Sequence, residues 1–140
     1  GRLYVIGGVH SDKVQVLEMT EENGWSWSCK ADLPNVRDSA ASVVHEGRIR
    51  VMGGSVDGRP TPAPRQARIT ASVIDYDVEA DAWHTAPPLP SPCCECSATT
   101  IDGKIFLFSR VATFKYDNAA WSVVEKPIAS RATCGSVLLG

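Results

Sequence analysis

The sequence has 140 residues, 44% of them hydrophobic, and a formal net charge of −2 at pH 7. This size and apolar content fit one domain with a sizeable core, and the small net charge argues against a chain-wide nucleic-acid or membrane surface. No apolar run approaches the roughly 18 residues of a membrane-spanning helix, and five cysteines in a chain too long for a disulfide miniprotein favour a reducing compartment, the cytoplasm or alternatively the nucleus.

A short segment occurs three times and organises the chain. Its copies are residues 1–8 (GRLYVIGG), 47–54 (GRIRVMGG) and 103–110 (GKIFLFSR). Each copy starts with a glycine and a basic residue and continues with aliphatic, β-branched or aromatic residues. This composition predicts a strand that is buried on both faces. The glycine pairs Gly7-Gly8 and Gly53-Gly54 then let the chain leave the strand through positive φ angles, which the third copy, ending in Ser109-Arg110, does not repeat.

Short strands separated by turns follow each copy, and no stretch carries a helical period. In chain order the further predicted strands are 14–19, 25–30, 39–45, 71–76, 96–101, 114–117 and about 133–139. Glu46-Gly47 and Asp102-Gly103 are typical of two-residue hairpin turns. The pattern predicts an all-β chain.

Tryptophan spacing shows that the repeat is regular. Trp27 lies 6 residues before Leu33 and 20 before Gly47, and Trp83 lies 6 before Leu89 and 20 before Gly103. Trp121 occupies the same place in the third unit. Trp27, rather than its neighbour Trp25, is therefore the repeat tryptophan of the first unit, and the three recurring tryptophans are expected to pack between neighbouring units.

This order of residues resembles the Kelch repeat, whose fold is a β-propeller of four-stranded antiparallel blades. The resemblance rests on a small-residue strand, a strand that ends in Gly-Gly, a strand that ends near Tyr-Asp and a spaced tryptophan. The second unit has all of these features, with Gly53-Gly54, Tyr76-Asp77 and Trp83. The first unit lacks Tyr-Asp, and the third keeps Tyr116-Asp117 and Trp121 but lacks the glycine pair.

The resemblance implies a division of the chain into blades. Residues 1–34 are a blade without its first strand, 35–90 a complete blade, 91–127 a degenerate blade and 128–140 the first strand of a further blade. About three blades leave sheet edges and an apolar flank open. We therefore expect either a piece of a longer protein or a half-ring that needs the remaining blades or a second copy for closure.

One end of such a propeller, the mouth, collects the loops before the first strand and between the second and third strands of each blade. There the sequence places seven basic residues against four acidic ones, Asp12, Asp38, Asp57 and Glu95, whereas the opposite turns are acidic. The predicted binding residues of the mouth are Lys13, Arg37, Asp38, Arg59, Arg65, Arg68, Arg110 and Arg131. Arginine binds carboxylates and phosphates through its planar fork of donors, although solvated arginines are an equally weighted alternative.

Residues for catalysis or for a cofactor are not apparent in the pattern. The three histidines fall at unrelated points of the repeat, and the cysteine cluster Cys93, Cys94 and Cys96 lacks a second pair of metal ligands. Cys96 occupies the position of a small buried residue, Ala40, of the second unit. We expect no cofactor and no metal, and the cluster leaves a redox role open.

The resemblance implies a non-enzymatic module that binds a protein or peptide, acidic or phosphorylated, with no role for nucleic acid or membrane. In this family such propellers are commonly joined to BTB or F-box segments and present partners to a ubiquitin ligase. Two alternatives are a fragment of a Kelch-type oxidase or sugar isomerase whose catalytic residues lie outside this chain, and a cytoskeletal scaffold.

Overall fold

A computed structural model describes residues 1–56, 68–110 and 112–125. Within these ranges the chain forms eleven β-strands and no helix. The strands are β1 (Arg2–Ile6), β2 (Val14–Thr20), β3 (Gly24–Lys30), β4 (Ala41–His45), β5 (Arg48–Met52), β6 (Val73–Asp77), β7 (Ala82–Ala86), β8 (Ser97–Ile101), β9 (Lys104–Phe108), β10 (Thr113–Asp117) and β11 (Ala120–Glu125). The predicted strand at about 133–139 lies outside the described residues.

Three antiparallel sheets are built from strands that follow one another in sequence. The first sheet contains β1–β2–β3, the second β4–β5–β6–β7 and the third β8–β9–β10–β11. The hairpin turns at Glu46-Gly47 and Asp102-Gly103 have positive φ at both residues, as a two-residue turn that matches strand twist requires. The predicted all-β class of four-stranded antiparallel blades is confirmed.

Each sheet packs on the next through side chains of alternate residues. We call the face towards the preceding sheet the front face and the opposite face the back face. Val51 and Ile74 on the front of the second sheet pack with Val14 and Leu33 of the first sheet. Met52 and Val73 on the back of the second sheet join the front of the third sheet, whose Ile105, Leu107 and Phe114 are fully buried. Two cores therefore lie between three sheets.

The repeated tyrosine and tryptophan form a pair at each junction. The Tyr76 and Trp83 rings lie 5.0 Å apart, as do the Tyr116 and Trp121 rings. The indole Nε1 of Trp83 donates to the Ala31 carbonyl, and that of Trp121 donates to the Pro87 carbonyl at the corresponding place one unit later, both at 2.9 Å. These tryptophans tie each sheet to the end of the sheet before it.

The front face of the first sheet is open. Leu3, Leu17 and Trp27 are cross-strand neighbours there, and Val5 lies on the same face. Leu3, Val5 and Trp27 are 57%, 46% and 53% exposed. Two predictions are therefore wrong for this sheet, because no described sheet covers its front. The first copy of the repeated segment, β1, is not buried on both faces, and Trp27 does not pack between two described sheets.

Candidate functional site

The loops predicted to form the mouth converge through main-chain hydrogen bonds. Asp38 and Ser55 exchange a pair of bonds at 3.0 and 2.8 Å, which joins the loop before β4 to the loop after β5. Between sheets, the Glu95 amide donates to the Ser39 carbonyl at 2.9 Å. The amides and carbonyls of these loops thus satisfy one another instead of a sheet partner, and the mouth is a connected surface.

The glycine pair of the second unit is required by this convergence. A Cβ at Gly53 would lie 2.5 Å from the Cys93 carbonyl oxygen, and one at Gly54 would lie 2.8 Å from the Asp38 carbonyl oxygen. Both residues also have positive φ. The Gly54 amide donates to the Cys93 carbonyl at 2.7 Å. In the second unit, Gly-Gly therefore reflects close approach of the neighbouring loops as well as backbone freedom, whereas a Cβ at Gly8 of the first pair would meet no atom within 4 Å.

Arg37, one of the predicted binding residues, lies inside the wall of the mouth. It is 5% exposed. Its Nη1 donates to the carbonyls of Gly53 at 2.8 Å and Ser72 at 3.0 Å, and its Nη2 donates to the Ser72 hydroxyl at 2.7 Å. Burial lowers the pKa of the guanidinium from its usual value. Arg37 therefore positions the two loops of its own sheet, and among its donors only Nε has no partner within the described residues.

The other predicted binding residues that lie within the described ranges are found at the surface of the mouth. Lys13 pairs with Asp12 at 3.4 Å and with Asp32, and the hydrogen bond to Asp32 raises the pKa of the ammonium group. Asp38 accepts a hydrogen bond from the His10 amide at 3.0 Å. Arg68 and Arg110 are exposed and form no ion pair with another described residue. Arg59, Arg65 and Arg131 lie outside the described residues.

The opposite end of the sheets has a different charge arrangement. Arg48 pairs with Asp77 at 3.5 Å and Lys104 with Asp117 at 3.3 Å. Main-chain amide donors, chiefly that of Ala80, lower the pKa of Asp77. Exposed carboxylates without a cation partner among the described residues are Glu21, Glu22, Glu79, Asp81 and Asp102. In the described part of the chain, unpaired charge is therefore mainly positive at the mouth and mainly negative at the opposite end.

Two polar groups between the sheets were not apparent in the sequence. Arg50 on the back of the second sheet is bidentate to Asp75, with both distances 2.7 Å, and its guanidinium lies 4.4 Å from the centre of the Tyr116 ring. The hydrogen bond to Asp75 raises the pKa of Arg50. Only the register that sets Arg50 opposite Asp75 reveals the pair. A basic residue inside an apolar strand was the available signal.

Asp81 is the second of these two polar groups. Its Oδ1 accepts hydrogen bonds from the Tyr76 hydroxyl at 2.5 Å and from the Ala31 amide at 2.8 Å. These donors lower the pKa of Asp81, and burial followed by the same carboxylate raises that of Tyr76. Ala31 is thus held at both its amide and its carbonyl, the latter by Trp83. An acidic residue in a hairpin turn gave no sign of this contact.

The cysteine cluster lies in the loop before β8. Cys93 is buried and Cys94 and Cys96 are half-buried, with the Sγ atoms of Cys93 and Cys96 3.0 Å apart. No group of three or more histidine, cysteine or acidic residues within the described ranges is arranged to hold a metal ion. In the same part of the chain, no helix has the length and hydropathy needed to cross a membrane.

Comparison with known proteins finds relatives whose names include Kelch repeats or Kelch-like proteins. No protein-family model matches the chain. Mouse Kelch-like protein 35 is 30% identical over 95% of the chain and 22% of its own length. Zebrafish Kelch repeat and BTB domain-containing protein 12 is 26% identical over 78% of the chain and 18% of its own length. The chain thus spans about a fifth of the length of these curated relatives.

A solved structure has a similar fold. The structure of YjhT, a Kelch-type propeller, superposes with a TM-score of 0.73 at 14% identity, covering 91% of the chain and 49% of that structure. At this identity the likeness establishes the fold alone. It agrees with the stacking of the three sheets.

Proposed function

The chain belongs to the Kelch-repeat β-propeller family, and on that premise we propose that it is a non-enzymatic module that binds a protein or peptide at its mouth. The observation that carries the proposal is the exposure of Arg68 and Arg110, which have no ion-pair partner among the described residues. Guanidinium groups in this state are available to carboxylates or phosphates, so the proposed partner is acidic or phosphorylated.

Arg37 has a supporting part in this proposal. Because its Nη atoms are bound to Gly53 and Ser72, it fixes the loops on which exposed residues stand. It also lines a cavity of about 210 Å³ at the mouth, beside Gly8 and Ser39. Arg37, which the sequence predicts as a binding residue, thus becomes in our proposal a positioning residue.

A narrower role is that of the substrate-recognition part of a ubiquitin-ligase adaptor of the BTB–Kelch or F-box–Kelch type. The name of the zebrafish relative, which includes a BTB domain, supports this role. The described cysteines are free thiols, which suits the proposed cytoplasmic setting.

Closure of the propeller belongs to the same proposal. Leu3 and Val5 correspond in the repeat to Ile49 and Val51, which are 7% and 3% exposed because the first sheet covers them. We propose that a further Kelch-type blade, from the same protein or from a second copy, covers Leu3 and Val5 in the same way. The alternation of front and back faces through the three sheets supports this assembly.

Charge reversal at matched arginines tests the binding proposal. We compare three immobilised proteins: the parent chain, an Arg68→Glu/Arg110→Glu double variant and an Arg2→Glu control. The proteins that each of them captures are identified at two salt concentrations. Arg2 is exposed and lies at the opposite end, so the control changes charge without touching the mouth. We expect capture to be lost in the double variant, kept in the control and weakened by salt in the parent chain. Capture that the double variant keeps and that only the control changes would place binding at the acidic end.

A further inference from the structure

We propose that Cys93 and Cys96 are a redox site that closes to an intrachain disulfide and reopens under reducing conditions. The Cys96 thiol donates a hydrogen bond to Cys93 Sγ, with the two sulfur atoms 3.0 Å apart. A disulfide bond is about 2.05 Å long, so closure requires the sulfurs to approach by about 1 Å. Neither cysteine is used by the proposed binding function, and the inference is independent of it.

The loop before β8 is shaped so that residues three apart face each other. Glu95, between the cysteines, has a φ of 54°, and Ser39 at the corresponding position before β4 has a φ of 55°. There too the side chains three apart converge, because a Cβ at Gly54 would lie 2.9 Å from Arg37 Cγ and 3.0 Å from Ala40 Cβ. The turn is therefore a feature of the repeat, and its occupation by two cysteines is particular to this unit.

The main chain holds this turn in place. The Cys93 carbonyl accepts from the Gly54 amide at 2.7 Å, and the Cys93 amide donates to the Thr70 carbonyl at 3.3 Å. The Cys93 side chain is 4% exposed and packs in the core between the second and third sheets. Because the loop is anchored on both sides, the two thiols stay near each other, and the entropy lost on closing so short a ring is small.

The surroundings distinguish the three thiols of the cluster. The hydrogen bond from Cys96 lowers the pKa of Cys93, whereas burial, followed by the charge of Glu95, raises the pKa of Cys94. The thiolate is the reactive form of cysteine. Cys96, which is half-buried, is therefore the thiol that an oxidant reaches first, and Cys93, which is buried and has the lowered pKa, is the resolving thiol.

Hydrogen peroxide is small enough to serve as the oxidant at this half-buried site. The Cys96 sulfur attacks one peroxide oxygen, the O–O bond breaks and the departing hydroxide takes the proton of Cys96 to form water. The Cys93 thiolate then attacks the sulfenic sulfur of Cys96, the S–S bond forms and the S–O bond breaks. The second hydroxide takes up the proton that Cys93 released and becomes water. Overall, two thiols and one peroxide give a disulfide and two waters.

Mass spectrometry of the oxidised chain tests the inference. Residues 69–104 contain all three cysteines of the cluster and no internal lysine or arginine, so trypsin releases them as one peptide. The folded chain is treated with peroxide, free thiols are alkylated, and the peptide is sequenced by fragmentation. We expect a peptide that is alkylated only at Cys94 and that has two hydrogen atoms fewer than the same peptide without a bridge. After reduction with dithiothreitol and renewed alkylation, all three cysteines should be alkylated.

Single variants provide the matched controls. Cys94→Ser should keep the bridge, while Cys93→Ser and Cys96→Ser should each abolish it. The same treatment in urea should give a mixture of pairings that includes Cys94, because the turn is then lost. A folded chain that gives the same mixture as the urea sample, or that forms no bridge and is over-oxidised at Cys96, would overturn the proposal.

Discussion

The two junctions between sheets have the same aromatic framework but different polar contacts. At the first junction, Tyr4 on the back of the first sheet lies 5.9 Å from the Tyr76 ring, and Asp81 and Trp83 hold Ala31. At the second junction, Arg50 occupies the place of Tyr4 in the repeat and lies over Tyr116, the counterpart of Tyr76.

The difference extends to the clamp at the end of the preceding sheet. Where the first junction has the acceptor Asp81 and the donor amide of Ala31, the second has Ala119 and Pro87, which lack a carboxylate and an amide N–H. The second junction therefore lacks both the carboxylate acceptor and the amide donor, while the hydrogen bond from Trp121 to the Pro87 carbonyl is kept. A Kelch-type junction thus needs the Tyr–Trp pair and the apolar face, whereas its polar contacts are interchangeable.

Removal of the repeat tryptophan should have the largest effect. Trp83→Ala removes a packed indole and leaves the Ala31 carbonyl without its donor, so we expect the free energy of unfolding to fall by about 3–5 kcal/mol. Denaturant melts measure this value. Trp27→Ala is the control, because Trp27 is 53% exposed on the open front face and should cost much less. Equal losses in the two variants would contradict the assignment of the first junction.

The buried ion pair of the second junction should have the next largest effect. Asp75→Asn keeps the shape of the side chain but removes the charge that holds Arg50, and we expect a loss of about 1.5–3 kcal/mol in the free energy of unfolding. Asp117→Asn, at an exposed pair with Lys104, is the control and should change stability less. If the control is the more damaging variant, the Arg50 pair does not stabilise this junction.

Asp81 should make the first junction sensitive to acid. Its pKa is lowered in the folded chain, so its contribution is present above the ordinary aspartate pKa of 3.8 and is lost as pH falls through the folded pKa. Melts of the parent chain and of Asp81→Asn should therefore differ at pH 5–7 and converge as the pH falls through the folded pKa, which lies below 3.8. Glu79→Gln in the same turn is the control. A difference that grew towards low pH would have the wrong sign for this contact.

The open front face should govern association more than folding. Val5→Lys places a charge on an exposed apolar position, so the free energy of unfolding of the isolated chain should change little. Sedimentation should show self-association or loose packing in the parent chain and less association in the variant. Thr20→Lys, at the end of the central strand β2 of the same sheet, is the control. A parent chain that sediments as a compact monomer and melts cooperatively would contradict the proposed closure.

Parts of this fold were predictable because the contacts themselves repeat. Gly53-Gly54, Tyr76 and Trp83 each touch a neighbouring unit in a way that recurs, so their spacing is visible in the sequence. The exposure of β1 was not predictable, since its composition matches that of β5 and only the missing neighbour differs. The burial of Arg37 was not predictable from the sequence either.

Arg37 lies in a loop, where a basic residue is expected to face solvent. Its place is set by Ser72, which is distant in sequence and is brought close only when β6 pairs with β5. The Arg50–Asp75 pair likewise depends on strand register across a long loop. Contacts that recur at the same place in successive units are therefore accessible from pattern, whereas polar pairs that occur in one unit and depend on register are not.

Hydrogen exchange of the chain bound to a captured protein tests the proposed binding surface most directly. Compared with the free chain, the bound chain should show slower exchange at amides of the mouth loops, residues 9–13, 35–40, 68–72 and 109–110. The turns at 21–24, 45–48 and 78–81, at the opposite end, should exchange unchanged and serve as internal controls. Protection of those turns with no change at the mouth would contradict the account.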